Sequence, residues 1–457
     1  MQTDSNPSFL TGVIEGFYGR PWNDCERRTL FDRMQQWSLN TYLHAPKDDL
    51  QHRLRWRELY DAGQAAGLEA TIREAQHRGL SFVYALGPGA DLRYADPAEL
   101  QRIRARFEQL MELGCRDFAL LFDDIPGQLP EPDSRRFSSF AEAQCHVANE
   151  AYNFVRAKAG EARFFFCPTV YCGRMAKPSV LDSSYLRMVG ERLHPEIDFL
   201  WTGPEIVSET ITIESIQELH SVIRRPPVIW DNLHANDYDR RRVHLGPYSG
   251  RSVDLRYEVR GLLTNPNCEF AANFVPIRTL ALFSQARESW TPRAAFVQAL
   301  AEWQPAFAVG GESTVSVADL ELLGDCFYLP HSLGERAQGF VHDFQVLLDD
   351  LPQHWGSAFE RFEKSCEEIA GLLPKLAAIE NRDLLHALYG PLWELREEAS
   401  LLRSYARWLR SGPKRGETFA SPEHLPHTYR GGLVAVLQHL LPVDEAGRFR
   451  HQSNQTH

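Results

Sequence analysis

Phe118-Ala-Leu-Leu-Phe122-Asp123-Asp124 is a run of bulky apolar residues that stops at two adjacent carboxylates. Its bulk and continuity are those of a parallel strand buried on both faces, so the aspartates arrive at the strand's C-terminal end. Taken alone, the dipeptide admits three readings: a solvated acidic turn, a Mg²⁺ site, or a pair of carboxylates for acid/base chemistry. The neighbouring sequence has to decide among them.

Similar short runs recur on either side, around Leu10–Ile14, Thr41–Ala45, Phe82–Leu86, Phe164–Pro168, Phe199–Trp201, Val228–Asp231 and Leu262–Thr264. Most of the stretches between them have helical spacing, as in Ile103, Phe107, Leu110 and Met111, or Phe140, Val147, Ala151 and Phe154. Strand and helix are expected to alternate eight times over roughly 250 residues, which predicts a (β/α)₈ TIM-type barrel of the α/β class over residues 8–295. An open doubly wound sheet is the rival, but no Gly-rich phosphate loop marks a switch point. Beyond about residue 295 the spacing predicts longer helices without strand-like runs. Phe359, Phe362, Cys366, Ile369, Leu373 and Leu376 share one face, as do Leu392, Leu395, Ala399, Leu402, Ala406 and Leu409. An all-α helical bundle domain is expected over 296–445, with a loop over Ser411–His427 and a last helix near Leu433–Leu441. Residues 1–7 and 446–457 are expected to be flexible tails.

A chain of 457 residues is long enough for a large barrel and a second domain. Its 43% hydrophobic and 24% charged residues are ordinary for a globular protein. The formal charge of −12, with no Lys/Arg-rich block to offset it, argues against a nucleic-acid binder and fits a neutral or polar substrate. Met1-Gln-Thr-Asp-Ser-Asn-Pro7 has neither a basic nor an apolar segment, and no apolar run reaches the length of a membrane span, so a cytoplasmic protein without membrane association is expected. Eight cysteines are too sparse for a disulfide scaffold, and the pair Cys167 and Cys172 has no second pair at metal-ligand spacing. Zinc is not expected.

If the barrel is right, the residues after each run line its mouth. These are Tyr18, Lys47-Asp48-Asp49, Asp123-Asp124, Tyr171, Trp201, Asp231-Asn232 and Asn265. Each has a bland explanation singly: Tyr18 as core, Trp201 as packing, Asn265-Pro-Asn267 as a turn, Lys47 as a solvated charge. Their convergence on one rim does not. Aromatic rings stack on the apolar face of a pyranose and Asp or Asn side chains hydrogen-bond its hydroxyls, so the set suits a sugar.

Five longer motifs carry a resemblance: Gly12-Val-Ile-Glu-Gly-Phe-Tyr-Gly-Arg-Pro-Trp22, Tyr42-Leu-His-Ala-Pro-Lys-Asp-Asp49, Phe118-Ala-Leu-Leu-Phe-Asp-Asp124, Val228-Ile-Trp-Asp-Asn-Leu-His-Ala-Asn-Asp-Tyr-Asp239 and Leu263-Thr-Asn-Pro-Asn-Cys-Glu-Phe270. In this order, over about residues 8–290, they resemble the motifs of glycoside hydrolase family 84, the protein O-GlcNAcases. The resemblance implies a retaining hydrolase that releases β-linked N-acetylglucosamine from Ser/Thr of glycosylated proteins. In such substrate-assisted catalysis the sugar's own acetamido oxygen attacks C1 to form an oxazoline, outside the usual two-carboxylate scheme. On matching positions Asp123 would orient and polarise the acetamido N–H, and Asp124 would be the general acid and then base. Gly16, Lys47, Asn232, Asp237 and Asn265 would hold the sugar hydroxyls, while Tyr171 and Trp230 would line the acetamido pocket. Asp48, Asp49, Asp231 and Asp239 are assigned supporting or structural roles, and Arg20-Pro-Trp22 the shaping of the first loop.

The resemblance calls for no cofactor and no metal. Its expected partners are O-GlcNAc-modified proteins or peptides, and the sequence is compatible with a homodimer. Val170, in Pro168-Thr-Val-Tyr-Cys172, stands where animal members carry an acidic residue, which bears on aglycone preference. In the family a helical domain beyond the barrel helps form a groove for the substrate polypeptide, an expectation that extends to residues 296–457. Two competing functions are a general β-N-acetylhexosaminidase or hyaluronidase-type enzyme on GlcNAc oligosaccharides, and a sugar-binding module without catalysis. A metal-dependent phosphotransferase is a third.

Overall fold

The computed structural model describes residues 9–129, 131–311, 313–413, 417, 419, 432–442 and 448–449. The expected tails, apart from 448–449, and most of the expected loop over 411–427 lie outside the described residues.

Eight strands form a closed, all-parallel barrel in sequence order, and the first pairs with the last. They are β1 (Leu10–Glu15), β2 (Thr41–His44), β3 (Ser81–Leu86), β4 (Asp117–Leu121), β5 (Phe164–Cys167), β6 (Asp198–Trp201), β7 (Val228–Asp231) and β8 (Gly261–Thr264). Both faces are buried, which is why the strands read as continuous apolar runs. Alternate residues from all eight, among them Ile14, Leu43, Val83, Ala119, Leu121, Phe165, Leu200, Trp230 and Leu263, make one cluster. In a closed barrel only the interior connects all the strands, so this set defines the inward face. The complementary residues, such as Phe118, Leu120, Phe164 and Phe199, face the other way and are fully buried.

Helices follow most strands. Asn23 caps Asp24–Gln36 and Asp61 caps Ala62–His77, each in a reciprocal capping box with the residue three positions on, Glu26 and Gln64. Asp96 caps Pro97–Glu112, whose proline at the first turn loses no helical hydrogen bond. The alternation expected eight times fails once. Between β7 and β8 there is no α-helix, only the 3₁₀ turn Val253–Tyr257. Gly246-Pro247 and Gly250, the last at φ 75°, interrupt any helical pattern there.

Among the described residues one compact unit comprises 9–237, 248–270 and 277–291, and a second comprises 238–247, 271–276 and those from 292 onward. The second is mainly helical, with Val317–Cys326, Glu335–Asp349, Ser357–Ala377, Arg382–Arg410 and Gly432–Leu440. Its two expected stripes are buried except at Leu409, which is only partly so. Phe362 stacks on both Phe340 and Phe344, with ring centroids 5.1 and 5.3 Å apart. One feature runs against the strand-free expectation. Ala308–Gly310 and Ser313–Thr314 pair as a small antiparallel ribbon, reversing through Gly310 and Gly311 at φ 114° and 61°. Strands of two or three residues carry no readable period, and only the glycines announce the turn.

All eight cysteines are free thiols, seven buried and Cys25 exposed. Among the described residues no helix is long and apolar enough to cross a membrane.

Candidate active site

The period-two alternation of the strands continues past their ends and selects which residues enter the mouth. In β4 the inward residues Ala119 and Leu121 lead to Asp123; likewise Ile14 leads to Gly16, Ala45 to Lys47, Trp230 to Asn232 and Leu263 to Asn265. Their contacts agree. Lys47 Nζ lies 2.5 Å from Asp123 Oδ2 and near 6 Å from the Trp230 and Tyr18 rings, at 5.8 and 5.9 Å. A Cβ on Gly16 would come within 2.5 Å of Trp230 Cζ2, so only glycine lets β1 and the indole approach this closely. Trp230 Nε1 and Asn265 Nδ2 both donate to Asn232 Oδ1 at 3.0 Å, and Asn232 Nδ2 donates to Ile206 O at 2.8 Å. Asn265 Oδ1 is buried and accepts no hydrogen bond. Asp237 Oδ2 accepts from the backbone N–H of Tyr18 at 3.0 Å.

The two aspartates differ in surroundings although they are neighbours. The Asp123 side chain is 13% exposed and Asp124 is open to solvent. Burial acts to raise the Asp123 carboxyl, but the Lys47 ammonium, through charge and hydrogen bond, and the more distant Arg53 carry it below the usual carboxylate range. Asp123 is therefore an ionised carboxylate at neutral pH. Asp124 has φ 51°, a left-handed conformation that costs a non-glycine residue on the order of 1–3 kcal/mol and calls for surrounding structure to hold it. Each of its oxygens meets a phenol: Tyr171 OH is 2.8 Å from Oδ1 and Tyr18 OH is 3.0 Å from Oδ2. Desolvation, then the charge of Asp124, push both hydroxyls up, so both remain proton donors.

A fixed anion beside an exposed, doubly hydrogen-bonded carboxylate is an arrangement able to stabilise positive charge on a substrate and to exchange a proton with it. Among the described residues no group of three or more His, Cys, Asp or Glu could hold a metal ion.

Other residues singled out from the sequence are paired or packed within the protein. Asp231 is buried under Arg251 and Tyr248. Asp49 accepts from the Gln51 N–H and Tyr60 OH, and Asp239 pairs with Arg241. Trp22 is buried and donates from Nε1 to Cys268 O, and Trp201 packs beside Phe199. Arg53 and His52 were not singled out from sequence, yet Arg53 donates to Tyr18 OH at 2.6 Å and to the carbonyls of Asp123 and Asp124 at 3.2 and 3.0 Å. They sit in a run of turns after β2, where no period distinguishes a functional arginine from a solvated one.

Comparison with known proteins gives concordant results. A family model described as beta-N-acetylglucosaminidase matches residues 11–314. The proteins named Protein O-GlcNAcase of Rattus norvegicus and Mus musculus are each 30% identical over 643 aligned positions, spanning 96% of this chain and 70% of theirs. A solved point variant of the Thermobaculum terrenum O-GlcNAc hydrolase superposes with a TM-score of 0.76 at 27% identity, covering 88% of this chain and 82% of that one. A barrel whose mouth presents paired aspartates, and whose sequence follows these hydrolases through nearly its whole length, belongs to the beta-N-acetylglucosaminidase family and is a glycoside hydrolase.

Proposed function

We propose that this chain removes β-linked N-acetylglucosamine from Ser/Thr of glycosylated proteins, with retention, through an oxazoline formed by the substrate's acetamido group. The observation that carries this reading is the contrast between Asp123, largely shielded and ionised against Lys47, and Asp124, exposed between two phenols.

In the proposed first step Asp123 accepts the acetamido N–H, which makes the carbonyl oxygen a better nucleophile and stabilises the positive charge that grows on the ring. That oxygen attacks C1 while Asp124 gives its proton to the departing Ser/Thr oxygen. In the second step Asp124 takes a proton from water, which opens the oxazoline at C1. Two displacements at one carbon restore the original configuration. Tyr171 and Trp230 line the acetamido pocket, and Gly16, Lys47, Asn232, Asp237 and Asn265 hold the sugar. The unpartnered Oδ1 of Asn265 supports a hydroxyl donor arriving there. The substrates are O-GlcNAc-modified proteins or peptides.

The test is leaving-group dependence. Asp124→Asn is expected to lose about 10²–10⁴-fold in kcat on a GlcNAc-modified peptide, the usual worth of a general acid. On an aryl glycoside whose phenolate leaves unaided the loss should be much smaller. Equal losses on both substrates would remove Asp124 from that role, and a wild-type protein without turnover of either would remove the function.

A further inference from the structure

His52 and Arg53 lie in the connection after β2, and the first explains the position of the second. His52 is buried, with Nδ1 2.8 Å from Ala85 O. A carbonyl only accepts, so Nδ1 carries the proton and donates. The Gly87 N–H donates back to His52 O at 2.9 Å. These two bonds fasten the dipeptide to the end of β3. Burial, then the charge of Lys47, hold the imidazole down at about 3, so it stays neutral.

Arg53, 14% exposed, is thereby turned toward β4. Its Nη2 donates to the carbonyls of Asp123 and Asp124, the two that flank the left-handed residue, and its Nη1 donates to Tyr18 OH and lies 4.0 Å from Asp123 Oδ2. A guanidinium has no acceptor. The Tyr18 oxygen therefore receives from Arg53, and its own proton is directed onto Asp124 Oδ2. Such a chain polarises each member for the next.

We propose that Arg53 is a positioning residue for the reaction: it clamps the Asp123–Asp124 backbone in its left-handed turn and aims the Tyr18 hydroxyl at Asp124. The inference rests on the function proposed above. Arg53 acts through these groups and makes its bonds to protein atoms. Around the two carboxylates, Lys47, His52 and Arg53 come from the β2 connection, Tyr18 from the β1 loop, and Cys167 and Tyr171 from the end of β5 and just beyond. Arg53 is one of the cations that lower Asp123, so its loss moves that carboxyl up. Because Asp123 works ionised, the acidic limb of kcat then moves to higher pH.

The experiment compares Arg53→Met, Arg53→Lys, Tyr18→Phe and the Tyr18→Phe/Arg53→Met double variant of the full chain on a GlcNAc-modified peptide, whose leaving oxygen needs the Asp124 proton. Arg53→Met is expected to lower kcat by about 10–100-fold, the scale of a small misplacement of reacting groups, with KM within about threefold of wild type. The double variant should lose much less than the product of the single losses, because the two residues act in one chain. Arg53→Lys keeps the charge but cannot span both carbonyls and the phenol, so it should keep the acidic limb in place while kcat stays low. If Arg53→Met fails to fold, Arg53→Lys and Tyr18→Phe still read the clamp. Carboxyl ¹³C titration of Asp123 follows its shift whether or not the protein turns over, and so separates failure of this inference from failure of the assigned reaction. Wild-type kcat in a folded Arg53→Met or Arg53→Lys, or multiplying losses with an unmoved Asp123 titration, would overturn the proposal.

Discussion

One aspartate stands just past β4 and another at the end of β7, each paired with a cation and near a tyrosine, and their surroundings differ. Asp231 is saturated. Arg251 donates to both its oxygens at 2.8 Å, Tyr248 OH adds a bond at 2.8 Å and the Leu233 N–H another at 3.1 Å, with no exposure left. Asp123 has one close partner, Lys47, and keeps part of its surface open. The cause is parity. Val228 and Trp230 point inward on β7, so Asp231 points outward; Ala119 and Leu121 point inward on β4, so Asp123 follows them into the mouth. One step along a strand decides whether a carboxylate is sealed against a guanidinium or turned into the mouth.

The comparison predicts opposite phenotypes. Asp123→Asn should lower kcat about 10²–10³-fold for every leaving group, as expected for lost electrostatic stabilisation, with little change in melting temperature. A series of fluorinated acetamido substrates reads its role directly, and wild-type sensitivity in the variant would rule out Asp123 as the polarising group. Asp231→Asn should instead cost about 3–5 kcal/mol in urea unfolding, because Arg251 is left as a buried charge without its counter-ion, while turnover per folded molecule is kept. Comparable destabilisation by both variants would break the distinction. Gly16→Ala forces a methyl against Trp230 and should cost about 1–3 kcal/mol, read as a raised KM for the glycoside. The smallest effect is a displacement along the pH axis. Burial acts to raise Asp123, but the charge and hydrogen bond of Lys47 together with Arg53 carry it below its ordinary value. In Lys47→Met burial prevails, the carboxyl takes up its proton at higher pH, and the acidic limb of kcat moves upward. An unmoved limb would detach Lys47 from the ionisation of Asp123.

Much of this was legible beforehand, for a physical reason. Strands covered on both faces must be apolar throughout, so β1 to β8 announced themselves as eight runs, and the inward positions after them could be read by counting in twos. Asp123, Asp124, Lys47 and Asn265 stood out because polar residues there interrupt apolar runs. Arg53 gave no such sign. It is one of 49 lysines and arginines, in a segment of turns, and its importance comes from contacts with residues 35 and 70 positions away. Tyr18 was visible on the rim, but its bond to Asp124 depends on the closure of β1 against distant strands, which no local pattern encodes. The missing helix between β7 and β8 and the ribbon at Ala308–Thr314 escaped for a different reason: neither element is long enough to impose a period.

The distribution of thiols turns the molecule into its own reporter. In the native state only Cys25 is open to an alkylating reagent, while Cys115, Cys145, Cys167, Cys172 and Cys268 are sealed in the barrel unit and Cys326 and Cys366 in the helical one. Burial also raises the thiols of Cys115 and Cys326, which suppresses the reactive thiolate until the surroundings open. Timed labelling followed by peptide mass mapping would therefore show which unit opens first as denaturant rises, with Cys25 as the internal standard and without introducing a single probe.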